Sequence, residues 1–218
     1  MMRFSVLIPS LACAALLAAC AVTPDKPVRS TQYDFGTAVA VTAVPNPGPN
    51  PNPSATQPPI VLADIEAAGS LEGSSMFYRL AYADAHQLRP YAQARWSAPP
   101  PQLIRQRLRE RIGADRPVLD PSESAALART GGLMPRVLRL DLEEFSHLFD
   151  SPTQSWGVVR LRASLFENTP AGERLIAQRS VVSRQPAPTP DASGGVRGLT
   201  AATDAAADDL RQWLAQQR

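Results

Sequence analysis

An α+β fold, an antiparallel sheet with two main helices packed on one face as a two-layer sandwich, is predicted by three observations on this chain of 218 residues. Two long stretches, Arg136 to Glu143 and Trp156 to Glu167, alternate apolar and polar residues with a period of two. Two others, Leu103 to Ile112 and Leu199 to Leu214, repeat their apolar residues at helical spacing. No internal repeat divides the sequence. Alternating strands are wet on one face and helices with one apolar stripe need a surface to cover, so the two patterns fit one another in two layers.

The first element lies outside this domain. A short start carrying Arg3, an apolar run to Leu17 and the small residues Ala18 and Ala19 have the three parts of an export signal. The run is shorter than the ~20 residues of a membrane-spanning helix and is interrupted by Pro9. Residues 1–19 are therefore a signal peptide cut after Ala19. The order Leu17-Ala18-Ala19-Cys20 resembles the lipobox of bacterial lipoproteins. That resemblance implies that Cys20 becomes the N-terminus and carries a diacylglyceryl thioether and an N-acyl chain such as palmitate. Each buried methylene contributes about 0.8 kcal/mol, and one chain holds a protein only marginally, so three anchor it almost permanently. Cys13 leaves with the signal and no internal disulfide can form. Ala21, rather than Asp, follows the acylated cysteine, which by resemblance to lipoprotein sorting rules implies the outer membrane.

Residues 20–30 form a short tether, and a single domain occupies 31–218. Gln32 to Gly36 is a brief strand closed by glycine. Pro45 to Pro59 is a Pro/Asn-rich loop that lacks the donors of a helix or sheet and favours polyproline II. Fully extended it reaches about 45 Å, as a surface loop, a spacer or a docking strip. Ile60 to Leu62 and Met76 to Tyr82 are rich in β-formers and flank a turn at Gly69 to Ser75. Pro99 to Pro101 open the first helix, whose Leu103, Ile104, Leu108 and Ile112 share a face. Arg105, Arg107, Arg109 and Arg111 decorate the remainder as a solvated face, or as a contact for anionic head groups or an acidic partner.

Leu138, Leu140 and Leu142 then face the core of a strand opposite Arg139, Asp141 and Glu143. In the next, Val159, Leu161, Ala163 and Leu165 point inward, a turn follows at Asn168 to Gly172, and Glu173 to Arg184 returns antiparallel. The last helix repeats Leu199, Ala202, Ala206, Leu210, Trp213 and Leu214, with Asp204, Asp208 and Asp209 toward water.

Catalytic patterns are missing from this inventory. Two histidines, His86 and His147, stand without a nucleophile beside them, and His147 reads as a structural residue at a strand end. Cys/His spacings for zinc and oxygen-rich calcium loops do not occur, nor does a phosphate-cradling P-loop. No enzyme, metal or cofactor is implied. Formal charge is +2, and +1 once Arg3 has left, which gives no electrostatic case for nucleic acid.

One resemblance binds these parts together. Met76 to Tyr82, then Tyr91-Ala92-Gln93-Ala94-Arg95-Trp96-Ser97-Ala98-Pro99-Pro100 running into the helix, resembles the ABC-type transport auxiliary lipoproteins, a group that includes paraquat-inducible protein C. The likeness continues through Leu138 to Phe145, Arg160 to Ala163 and the helix ending Trp213-Leu214. It implies a non-enzymatic auxiliary component of a lipid transport system that combines an ABC permease, an ATPase and an MCE-domain protein. The chain would dock the periplasm-spanning MCE protein from the outer membrane, facing the periplasm, with phospholipid as a further contact. Tyr91, Arg95 and Trp96 match the family's motif and are by that resemblance candidate partner-binding residues; the alternative for Trp96 is packing. The other reading of the whole chain is a structural envelope lipoprotein that helps assemble an outer-membrane barrel machine.

Overall fold

Among the described residues, strand β7 (Arg136–Phe149) is the axis of a nine-stranded sheet, pairing along one edge with a single long strand and along the other with three short ones. The computed structural model describes residues 29–36, 57–129 and 134–217. The signal peptide, Cys20, the tether up to residue 28 and residues 45–56 of the Pro/Asn-rich loop lie outside the described residues.

On its long edge β7 pairs antiparallel with β8 (Ser155–Thr169), which pairs antiparallel with β9 (Gly172–Pro186). These are the two alternating strands and the antiparallel return strand expected from the sequence, each longer than the stretch that announces it. Gly172 closes the β8–β9 turn at φ +116°, a conformation that favours glycine. On the other edge β2 (Ile60–Leu62) lies parallel to the start of β7, β3 (Glu66–Ala67) to its middle and β4 (Ser75–Leu80) to its end. β6 (Val118–Leu119) pairs with β2, β5 (Leu88–Trp96) with β4, and β1 (Thr31–Tyr33) with β5. The long strands are thus antiparallel, and the short ones add parallel edges.

Two main helices, α1 (Pro100–Ile112) and α3 (Ala192–Gln216), supply the second layer, with a short α2 (Pro121–Arg129) beside β2. The prolines at the start of α1 need no amide partner there, since the first helical N–H groups have none. Asp191 caps α3, its side chain accepting from the Gly194 amide at 2.7 Å, an interaction contributing about 1 kcal/mol. The apolar residues of α3 cover Leu138, Leu140 and Leu142 of β7 and Val159, Leu161, Ala163 and Leu165 of β8, all buried.

Two local features set how closely helix and sheet meet. Glu143 is an extra residue in β7, since Leu142 pairs with Leu161 but Glu144 with Arg160. The resulting bulge inverts the alternation, so the core face passes from Leu138, Leu140 and Leu142 to Phe145, His147 and Phe149. Glycines bring α3 onto this second half. A Cβ on Gly157 of β8 would lie 2.1 Å from the carbonyl carbon of Gly198, and one on Gly195 would lie 2.4 Å from Nδ1 of His147.

Candidate functional site

Strand β5 carries Tyr91, Arg95 and Trp96, and the structure sends them to three different environments. Trp96 is 1% exposed and packs edge-on against Phe35, with centroids 5.7 Å apart, and against Phe145 at 5.3 Å. Its backbone amide donates to Ser74 O, and the next amide, of Ser97, to Tyr33 O, so the residue also ties β5 to its neighbours. Arg95 is exposed, with Nη1 donating to Ser75 Oγ at 3.1 Å. Tyr91 is half-buried. Its register explains how Tyr91 and Trp96 both turn inward: five positions from Arg95 to Pro90 on β5 are matched by only two from Ser75 to Phe77 on β4. Strict alternation is lost in between.

Tyr91 leads to a polar core group that periodicity did not mark. Its hydroxyl sits 2.8 Å from Nδ1 of His147, and its ring lies 4.7 Å from that of Tyr78. His147 also packs on Phe149 at 4.3 Å, beneath Gly195 of α3. His147 lies two residues from the end of β7, as its sequence context indicates, but is fully buried rather than at the surface or partly buried; the bulge at Glu143 is what rotates it inward. Burial lowers its pKa to about 4, with Asp191 opposing, so the imidazole is neutral at ordinary pH. Burial likewise raises the Tyr91 hydroxyl, with Tyr78 and Asp191 acting in the same direction. Nε2 of His147 makes no hydrogen bond. Two neutral rings sharing one proton contact hold β5 to β7.

The arginines of α1 are neither a free solvated face nor a free basic patch. Arg107, 9% exposed, donates from Nε and Nη2 to the two oxygens of Asp204 on α3 at 2.6 and 2.9 Å. Arg111 joins the same carboxylate at 2.9 Å and Asp208 at 3.3 Å. Burial pushes the Asp204 carboxyl up, but hydrogen bonds from Arg107 and Arg111 prevail and hold it below the usual carboxylate range. Arg105 and Arg109 both reach Asp120, at 2.5 and 2.6 Å, just before α2. Asp209 pairs with Arg179 of β9 at 2.7 Å. The charged stripes of α1 and α3 thus face one another as a clasp between helices.

Of the remaining candidates, His86 is exposed in the β4–β5 turn, and its amide donates to the Asp84 carboxylate. Among the described residues no three His, Cys, Asp or Glu side chains converge to hold a metal, and no helix is long and apolar enough to cross a membrane.

Comparisons with known proteins place this architecture. The model of the ABC-type transport auxiliary lipoprotein component matches residues 43–211. A solved structure of protein XCC0632 from Xanthomonas campestris, of family-model DUF330, superposes with a TM-score of 0.60 at 16% identity, covering 75% of this chain and 88% of that one. A second, described as an uncharacterized protein, gives 0.58 at 13% identity over 85% of this chain and 99% of that one. At such identities these two similarities concern the fold alone. No curated protein matches the chain.

Proposed function

Because the chain belongs to the ABC-type transport auxiliary lipoprotein family, we propose that it is the non-enzymatic outer-membrane component of an ABC/MCE-type lipid transport system. Cys20 carries the acyl anchor, and the domain faces the periplasm and docks the MCE protein that spans it. The observation that carries this reading is the family match over residues 43–211. The site geometry supports it in a negative sense: the one buried histidine is walled in by aromatic rings and a helix, and the α1 arginines are engaged within the molecule. Energy for transport then comes from the ATPase of the system.

Docking would use the exposed side of β5, with Arg95 as the reaching residue and Tyr91 and Trp96 as the packed wall that fixes the strand. Arg is a frequent interface anchor. The test is a C-terminally tagged chain cross-linked in intact cells, followed by separation of the two membranes and identification of the proteins attached. An MCE or permease component at outer-membrane density is the expected result, weakened by Arg95→Ala. Recovery of an outer-membrane barrel instead, or of no transport component, overturns the reading. Cys20→Ala should release the chain from the membrane fraction.

A further inference from the structure

We infer that the groove between the C-terminal end of α3, the start of β7 and the strand β2 binds a single-chain anionic amphiphile, a long-chain carboxylate with its head on Arg116. Its tail would run along Pro58, Ile60, Met134, Leu165 and Leu214, which line the cavity. This site is argued from its own geometry and does not rest on the transport reading.

The cavity has a volume of about 470 Å³, within the ~300–1,000 Å³ range of small-ligand sites. Counting about 30 Å³ for each water-sized group, it holds on the order of 15 heavy atoms, one acyl chain rather than two. Ile60, Leu165 and Leu214 form its buried floor, and Met134, 42% exposed, stands at its rim. An empty groove of this composition would be an ordinary surface irregularity but for the cation in it.

Arg116 is 6% exposed, and Nη2 donates to Gln57 Oε1 at 2.5 Å. Its Nε is buried without a hydrogen-bond partner, and among the described residues no carboxylate lies within ion-pairing distance of it. The nearby Asp115 is occupied by Arg211 of α3 at 3.2 Å. Burial is the main cause that lowers the Arg116 pKa, and the positive charge of Arg136 adds to it against the opposing Asp115. Arg136 also lines the groove, with Nη1 donating to Gln217 O at 3.0 Å.

A buried guanidinium costs several kcal/mol of desolvation unless an anion compensates it. Guanidinium pairs with planar carboxylates through two parallel hydrogen bonds, and Arg116 lines the cavity with a neutral amide as its hydrogen-bond partner and no carboxylate partner among the described residues. Apolar walls around one unmatched cation describe the complement of a fatty carboxylate. A neutral chain would leave the charge unmatched, and an inorganic anion would leave the walls bare.

The test uses the full acylated chain in phosphatidylcholine nanodiscs, incubated with a diazirine-bearing fatty acid, irradiated, and mapped for adducts by mass spectrometry. Adducts are expected on Ile60, Met134, Leu165 or Leu214, suppressed by excess laurate and on the order of tenfold less by dodecanol. Arg116→Gln should reduce labelling by a similar factor. Ala215→Trp, an exposed substitution at the groove mouth, should block it while leaving the core intact. Adducts confined to other surfaces, equal competition by dodecanol, or unchanged labelling of a folded R116Q overturn the proposal. So do stronger competition by a single-chain phosphate lipid, and adducts linking two copies of the chain. Envelope cross-linking to an MCE partner is a separate readout, so either result can fail without the other.

Discussion

Two arginines, Arg107 on α1 and Arg116 just after it, are both nearly inaccessible to water, yet their surroundings are opposite. Arg107 meets Asp204 through two hydrogen bonds and has its pKa raised, mainly by that carboxylate. Arg116 meets one neutral amide and has its pKa lowered, mainly by burial. The contrast teaches that burial of a charge says little by itself; the partner decides whether the charge is a fastener or an open valence. In this molecule the fastener joins the two main helices, and the open valence faces a cavity.

The largest effect is expected from removing the fastener. Asp204→Ala leaves buried Arg107 with only the more distant Glu110 carboxylate, 3.6 Å away, and removes a partner of Arg111, and should lower unfolding free energy by about 3 kcal/mol in urea titration. A loss below about 1 kcal/mol would break the comparison.

A third buried ionisable group sharpens it further. His147, with a pKa near 4 in the fold against 6.5 in the unfolded chain, takes up a proton on unfolding throughout the interval between those values. Stability should therefore be constant above pH 6.5 and fall as pH drops toward 4, by about 3 kcal/mol in all. His147→Phe should flatten that slope in melts at a series of pH values.

Steric closeness comes next. Gly157→Ala would push a methyl group into the Gly198 backbone and should cost about 2 kcal/mol, because helix and strand must separate.

Arg116→Met should do the reverse of the Asp204 change and stabilise the ligand-free chain by about 1 kcal/mol, since it removes an uncompensated charge from apolar surroundings. Destabilisation of similar size would show that Arg116 has a structural duty. The smallest effect is expected at the exposed pair Arg139–Glu173, 2.7 Å apart with both side chains more than a third exposed. Arg139→Gln should change stability by no more than about 0.5 kcal/mol.

Much of the sandwich is legible in the sequence because Leu138, Leu140 and Leu142, and Val159 to Leu165, obey strict alternation, while Leu199 to Leu214 keep helical spacing. Strand β5 is not legible in the same way. Pro90 and the irregular register before Arg95 remove the period of two that would announce it. Arg107 and Arg111 of α1 look solvated for a different reason: their partners Asp204 and Asp208 each lie 97 positions further along the chain. Such pairs leave no local trace. Trp96 carries both of its sequence readings, and the packing one describes its surroundings, with Phe35 and Phe145 against its ring.

His147 escaped for a reason that reaches beyond it. A bulge at Glu143 divides β7 into two halves written in different phases, as if a frameshift had been placed in the middle of the strand. Deleting Glu143 would restore a single phase: Leu142, Phe145, His147 and Phe149 would share the core face in unbroken alternation, with Glu144 still opposite Arg160 and only the local twist of the bulge lost. The strand should therefore tolerate loss of this one residue far better than a one-residue deletion elsewhere along it, which would turn every side chain beyond it to the other face.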